Sequence, residues 1–228
     1  MPENKFENRK LILDIRSLAD KSVFSEIFKL REYRQADSII RNAKFPILDV
    51  GAHLGFFSLY CSCLNSDALV YALEPEKNNY RRLVKHLKIN KCNNVQSFNL
   101  ALATNSLIRE LVVSTDSHNN YLKTNELKNK LTIQDTETAS LSDFCENNDI
   151  TKISLIKMDI EGAEFEIFRN WDKALEKVQT IIMEYHDNAE NNHAELVSIL
   201  EKNNFTVEQS ISKFDKNLGL IYAVNKKF

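Results

Sequence analysis

Ile47-Leu48-Asp49-Val50-Gly51-Ala52-His53-Leu54-Gly55 is the stretch on which the fold turns. Pro46 breaks the chain in front of it, and a short apolar run then ends in glycine, the pattern of a buried strand entering a tight turn. The two glycines let the backbone approach a ligand closely and leave the first amides of the next helix free for polar groups. Beyond this stretch the pattern alternates. A helix is predicted near residues 55–64, a strand at 69–73, a helix at about 77–88 with Tyr80, Leu83, Val84 and Leu87 on one face, and a strand near 95–100. Repeated β-α-β units of this length predict a parallel sheet covered by helices on both faces, a doubly wound α/β fold.

Working outward, residues 1–44 carry apolar residues at helical spacing (Leu18, Val23, Phe24, Ile27, Phe28, Leu30, Ile39, Ile40) and read as an N-terminal helical extension to one domain at 45–228. Residues 109–114 and 131–138 read as extended segments around a polar loop at 116–130, an insertion with the character of a hairpin. A short helix at 141–146, a strand at 153–158, a helix at about 163–168, a strand at 178–183 and a helix at 193–203 restore the regular order. Two last strands, 206–210 and 220–224, are expected to close the sheet as an antiparallel hairpin.

The length of 228 residues suits one α/β domain with its own core. With 30 Lys plus Arg against 32 Asp plus Glu, no strong field favours a polyanion, so nucleic acid is not the expected partner and a small-molecule or glycan acceptor is. Residues 1–10 hold no apolar run fit for a signal or a membrane span, and the reading is cytoplasmic, with no membrane partner. Cys61, Cys63, Cys92 and Cys145 lack zinc-site spacing and are expected as free thiols. Oligomeric state leaves no mark in the sequence.

Glu74 closes the second strand, where a carboxylate can accept hydrogen bonds from both hydroxyls of a ribose. The glycines follow G-x-x-x-G rather than the dinucleotide pattern G-x-G-x-x-G, and Asp49 precedes them. A carboxylate at that position would face a pyrophosphate badly and suits the ammonium of a methionine moiety, directly or through water. Gly51 and Gly55 could also merely close a turn, but with Asp49 before them and Glu74 after, a nucleoside-type cofactor is the better reading.

Residues 47–58 (ILDVGAHLGFFS), 72–75 (ALEP), 99–103 (NLALA) and 157–164 (KMDIEGAE) resemble the FkbM family of methyltransferases, the fourth being the most specific. The resemblance spans about residues 45–225. It implies S-adenosylmethionine as cofactor and a Rossmann-like class I methyltransferase fold, a seven-stranded, mostly parallel sheet with one antiparallel strand. It also implies O-methylation of a sugar, glycan or secondary metabolite. The cofactor is expected against Asp49, Gly51, Ala52, His53, Gly55, Phe57, Ser58, Glu74, Pro75, Asn99, Ala101 and Asp159; the resemblance implies that Asn99 and Ala101 lie near the adenine and Asp159 near the methyl-transfer centre. Of Phe56, Phe57 and Tyr60, at least two are expected in the core.

Methyl transfer from a sulfonium to an alcohol is an in-line displacement that needs the reactants aligned and a proton taken from the hydroxyl. Asp159 and Glu161 follow one strand and Glu184, Tyr185 and His186 end the next, at the edge of the sheet where ligands bind. His186 is the candidate base, oriented by Glu184 or Glu161. Asp159 or Glu161 could instead cap the following helix. The spacing fits no metal motif, so no metal is expected, and Glu164 and Glu166 read as solvated. Asp159-Ile160-Glu161-Gly162 lacks the Asn/Asp-Pro-Pro-aromatic segment usual in nucleic-acid N-methyltransferases, the nearest alternative. The glycine spacing and the lack of a Tyr-x-x-x-Lys pair weigh against a nicotinamide oxidoreductase. A non-catalytic module of the same fold is the remaining alternative.

Overall fold

The computed structural model describes residues 4–113, 121–122, 132–212 and 215–228. The chain runs β1 (Asn4–Phe6), β2 (Arg9–Leu11), α1 (Leu18–Phe24), a π-helical stretch Ser25–Leu30, a 3-10 turn Arg34–Ala36, and α2 (Asp37–Arg41). There follow β3 (Ile47–Val50), α3 (Phe56–Leu64), β4 (Val70–Leu73), α4 (Lys77–Ile89), β5 (Val95–Phe98) and β6 (Ala101–Leu102). After these come β7 (Ile108–Val113), β8 (Tyr121–Leu122), β9 (Thr132–Ala139) and α5 (Leu141–Asn147). The chain ends with β10 (Ile153–Met158), α6 (Glu164–Arg169), β11 (Val178–His186), α7 (His193–Lys202), β12 (Phe205–Ile211) and β13 (Leu218–Asn225).

Seven strands form the main sheet in the order β12-β13-β11-β10-β3-β4-β5. Only β13 runs against its neighbours, pairing antiparallel with β11 and β12, so the reversed strand implied by the family resemblance is present. The sheet is built outward in two directions from β3, which pairs with β10 on one side and β4 on the other. The crevice where the order reverses therefore opens above the carboxyl ends of β3 and β10, where open α/β sheets bind ligands. The two extended segments pair antiparallel as β7 and β9; the loop expected at 116–130 lies outside the described residues except for Tyr121 and Leu122.

Alternate residues of each buried strand face opposite sides of the sheet. Leu48, Val50, Ile156, Met158, Ile181 and Met183 pack with Phe144, Phe165, Phe168 and Phe205 on one side. Ile47, Leu155 and Ile182 pack on the other with Phe56 and Tyr60 of α3 and with Phe6, Phe24 and Phe28. The N-terminal segment, read from sequence as a helical extension, is thus one wall of the second core: Phe28 meets Phe6 edge-on at 5.3 Å and Tyr60 at 6.0 Å. It also opens with the hairpin β1–β2, whose polar three-residue strands carry no periodic signal. Val84, expected on the buried face of α4, is exposed at 39%. That face is built from Asn79, Leu83, His86, Leu87 and Asn90 instead, because the N-terminal segment supplies partners for the polar ones: Asp14 N donates to His86 Nε2 at 2.8 Å and Asn90 Nδ2 to Ile12 O at 2.8 Å. All four cysteines are free thiols.

Candidate active site

At the end of β3 the chain turns sharply: Gly51 N and Ala52 N both donate to Leu73 O, at 3.0 and 2.9 Å. Gly51 sits at φ +74°, and a Cβ there would come within 1.9 Å of the Asp159 carbonyl oxygen at the end of β10. Only glycine lets the loop cross so close to its neighbouring strand. His53, also at positive φ, donates its backbone N–H to Glu74 Oε2 at 2.7 Å, and Glu76 N donates to Glu74 Oε1 at 2.9 Å. Glu74 is therefore fixed at the end of β4 with lone pairs to spare. Burial pushes its pKa up to about 7, against the pull of those two amides. Asn99 stands behind this corner, its amide donating to the Glu74 and Pro75 carbonyls at 2.9 Å each.

Above these strand ends lies a cleft of about 610 Å³, a size suited to a nucleoside-sized ligand with room beside it. Ala52, His53, Phe57, Glu74, Pro75 and Ala101 line one part of it. Asp159, Glu161, Glu184 and His186 line another, and Glu26, Glu32 and Tyr33 of the N-terminal segment close it over. Three strand spacings separate the end of β4 from that of β11, roughly 14 Å. Glu74 at one end of this span and the carboxylates of β10 and β11 at the other leave room for S-adenosylmethionine, whose ribose lies between its adenine and its sulfonium.

Several positions assigned to the cofactor stand behind the cleft wall. A Cβ on Gly55 would meet Leu83 Cγ at 3.1 Å, and Ser58 is buried with its hydroxyl donating to Asp49 Oδ2 at 2.7 Å. Asp49 itself is 0% exposed, and its Oδ1 lies 3.6 Å from Lys157 Nζ. The charge of Asp49 is thus met by an internal ammonium, not presented to a ligand. Lys157 Nζ also donates to Gly51 O at 2.8 Å and stands 3.6 Å from Asp159 Oδ2. Burial tends to lower its pKa, and the Asp159 and Asp49 carboxylates outweigh that and hold it up. Lys157 is a site residue the sequence reading passed over, although a lysine in a strand whose other residues are Ile, Leu, Met and one Ser was a signal, and the structure buries all six.

The register of β10 and β11 pairs Met158 with Met183 and so brings Asp159 beside Glu184, while His186, two residues on, points the same way as Glu184. Asp159, Glu184 and His186 each offer an atom, all within 4.8 Å of one another. Glu161, not Glu184, approaches the imidazole, with Oε2 at 3.4 Å from His186 Nε2. Burial, then the neighbouring Asp159 and Glu164, push the Glu161 pKa up to about 8. Burial and then Asp159 raise that of Glu184, with Lys157 opposing. Glu161 adopts φ +57°, left-handed backbone that a non-glycine residue holds only where its surroundings enforce it.

Neither Asp159 nor Glu161 caps α6; Ala163 occupies the cap position without a side-chain bond, and Glu164 Oε1 accepts from Ile160 N at 2.8 Å instead. Glu164, expected in solvent, is 0% exposed, with Oε1 3.9 Å from His186 Nδ1. Glu166 is likewise not simply solvated, since Arg109 holds it at 2.8 and 3.1 Å. Phe56, Phe57 and Tyr60 are all buried, and the first two also border the cleft.

Comparison with known proteins bears on this arrangement. A sequence profile of the methyltransferase FkbM domain matches residues 49–207. The hexuronic acid methyltransferase AglP of Haloferax volcanii is 26% identical over 167 residues, 71% of this chain and 66% of that protein, so just under two thirds of its length is spanned. A Beauveria bassiana protein named Methyltransferase 1 is 25% identical over 189 residues, 72% of this chain and 75% of that one. Among solved structures, magnesium protoporphyrin IX methyltransferase from Synechocystis PCC 6803 with bound SAM superposes with a TM-score of 0.55 at 12% identity, covering 93% of this chain and 86% of the other. An rRNA methylase from Streptococcus thermophilus does so with a TM-score of 0.53 at 9% identity, covering 86% and 96%. At such identities the two structures establish the fold.

Proposed function

The chain belongs to the FkbM family of S-adenosylmethionine-dependent methyltransferases, and on that premise we propose that it methylates a hydroxyl of a sugar, glycan or other small hydroxylated metabolite. The observation that carries this reading is the grouping of Asp159, Glu161, Glu184 and His186 along one part of the cleft, well removed from Glu74. The cofactor supplies an electrophilic methyl on its sulfonium. Glu74 accepts from the ribose hydroxyls, and Gly51, Ala52 and His53 bring backbone close to the ligand. The acceptor hydroxyl meets the carboxylate–imidazole group, which receives its proton as the new oxygen–methyl bond forms and the sulfur–methyl bond breaks.

The cleft also speaks to the charge of the acceptor. Lys157 is the one Lys or Arg among the described residues lining it, and its ammonium is committed to Asp49, Asp159 and Gly51 O. Glu26 and Glu32 add negative charge at the N-terminal wall. A carboxylate-bearing acceptor like the one in the name of the archaeal relative is therefore poorly matched, and a neutral polyol fits better. Among the described residues no helix is long and apolar enough to cross a membrane. The test is incubation of the protein with methyl-labelled S-adenosylmethionine and cell extract fractionated by charge. Alkali-stable methyl ethers in the neutral fraction are expected. Label on amines or nucleic acid, or cofactor binding with transfer to nothing, would overturn the reading.

A further inference from the structure

We propose that Asp159, Glu184 and His186 form a binding site for one first-row divalent cation of the Mn²⁺ type, which takes up the acceptor oxygen. The inference rests on the reading above, that this part of the cleft receives the acceptor. Donor atoms sharing one ion at bond lengths of about 2.1–2.5 Å stand roughly 3–5 Å apart, and the three here lie within 4.8 Å of one another. Strand pairing makes this possible: Asp159 follows Met158 on β10, Glu184 follows its partner Met183 on β11, and His186 recurs on the same side of β11. Two carboxylate oxygens and one imidazole nitrogen suit such a cation and leave coordination positions open. Sequence spacing alone hides the site, because its members meet only across two strands.

A second observation comes from behind the imidazole. Glu164 is wholly buried, its Oε2 has no hydrogen-bond partner, and its Oε1 lies 3.9 Å from His186 Nδ1. His186 Nδ1 is itself buried without a hydrogen-bond partner. Metal-binding imidazoles characteristically give their second ring N–H to a carboxylate, which fixes the tautomer and the ring. A short inward shift would let Nδ1–H donate to Glu164 and leave Nε2 for the ion. The charge balance agrees, since Lys157 is the sole Lys or Arg among the described residues lining the cleft and is already shared, and the Asp159 and Glu184 carboxylates balance the two charges of the ion, so no positive charge is left over for an acidic acceptor. With the acceptor hydroxyl on the ion its acidity rises. Its O–H bond breaks, the proton passes to Glu161, and the oxygen takes the methyl as the sulfonium carbon–sulfur bond breaks, leaving S-adenosylhomocysteine and a methyl ether.

The test titrates Mn²⁺ alone into the full chain stripped with EDTA, following free Mn²⁺ by electron paramagnetic resonance. One ion per chain is expected, with binding abolished in Asp159→Asn/Glu184→Gln and weakened about 10- to 100-fold in Glu164→Gln, the usual cost of losing an outer carboxylate. Melting curves of the variants show whether they fold, and the wild-type titration decides the matter if one does not. No stoichiometric binding to the wild type, or equal affinity in a folded double variant, overturns the site. Undiminished methyl transfer in excess EDTA overturns it too, while leaving the methyltransferase reading standing. One bound Mn²⁺ without transfer to any hydroxyl supports the site and sinks that reading.

Discussion

Replacing Lys157 by methionine keeps the length and apolar stem of the side chain and removes only its ammonium. Asp49 is then left 0% exposed with the Ser58 hydroxyl as its remaining partner, and Asp159 loses its neighbour at 3.6 Å. Deleting one member of a buried ion pair costs about 3–5 kcal/mol, because the other charge stays buried. The lower end applies, since Asp159 is 28% exposed and water can replace part of the loss. For a domain of this size a loss of ~3 kcal/mol lowers Tm by roughly 6–12 °C. Differential scanning calorimetry of the wild type, Lys157→Met, Asp49→Asn and the double variant forms a cycle, in which the double variant recovers about 1–3 kcal/mol over the sum of the singles. The sign with pH is also set. Burial holds the Asp49 pKa above its ordinary value, and losing Lys157 raises it further. A carboxyl raised on folding destabilises above its unfolded pKa of about 4 and ceases to do so once protonated, so the deficit of Lys157→Met shrinks as the pH is lowered from neutral towards that unfolded value. A Tm within 2 °C of wild type (under ~1 kcal/mol by the same scaling), or strictly additive singles, would refute the argument.

Two other results follow from the strand ends. Glu74→Gln should weaken S-adenosylhomocysteine binding at least ~10-fold, the scale of a lost charge-assisted hydrogen bond, and lower Tm by a few degrees, roughly 2–4 °C per kcal/mol, because the amide NH2 that replaces one carboxylate oxygen cannot accept from the His53 or Glu76 N–H it then faces. Because Glu74 has a pKa of about 7 without ligand and the ribose hydroxyls need the carboxylate, wild-type affinity should rise from pH 6 to 8 with release of a proton, which calorimetry in buffers of different ionisation enthalpy detects; a flat profile counts against that contact. Gly51→Ala and Gly162→Ala both place alanine at positive φ, at a cost of about 1–2 kcal/mol. Only the first also drives a methyl to 1.9 Å from the Asp159 carbonyl, whereas nothing lies within 4 Å at Gly162. Gly51→Ala should therefore melt several degrees below Gly162→Ala; equal melting temperatures would contradict the crossing described.

The strands β3, β4 and β10 and the helices α3 and α4 were legible to within a residue or two, because buried parallel strands read as short apolar runs punctuated by Pro46, Gly51 and Gly55. What escaped was burial of polar residues. His86 and Asn90 face inward on α4 in place of Val84, since the segment at residues 12–14 supplies their hydrogen-bond partners, and periodicity holds no trace of a partner so remote in sequence. The same applies at the site. That Asp49, Glu74, Asp159, Glu184 and His186 gather at strand ends followed from the alternation of elements. That Asp49 answers Lys157, and that Glu164 stands inside behind His186, depends on strand register and on the left-handed turn at Glu161.

The docking of residues 4–41 has a bearing on how the chain is made. Arg9 donates to Ser62 O at 3.0 Å and Asn90 O at 2.6 Å, and Ile12 N donates to Asn90 Oδ1 at 2.8 Å. Arg9 and Ile12 are made before Ser62 and Asn90 and find these partners only once α4 and its C-cap have emerged. Until then Phe6, Phe24 and Phe28 have no sheet to cover, and their pairing closes loops spanning tens of residues, which slows folding. The wall of the cleft carrying Glu26, Glu32 and Tyr33 is thus made before the sheet and helices it docks on, and its aromatic side chains stay uncovered during the interval.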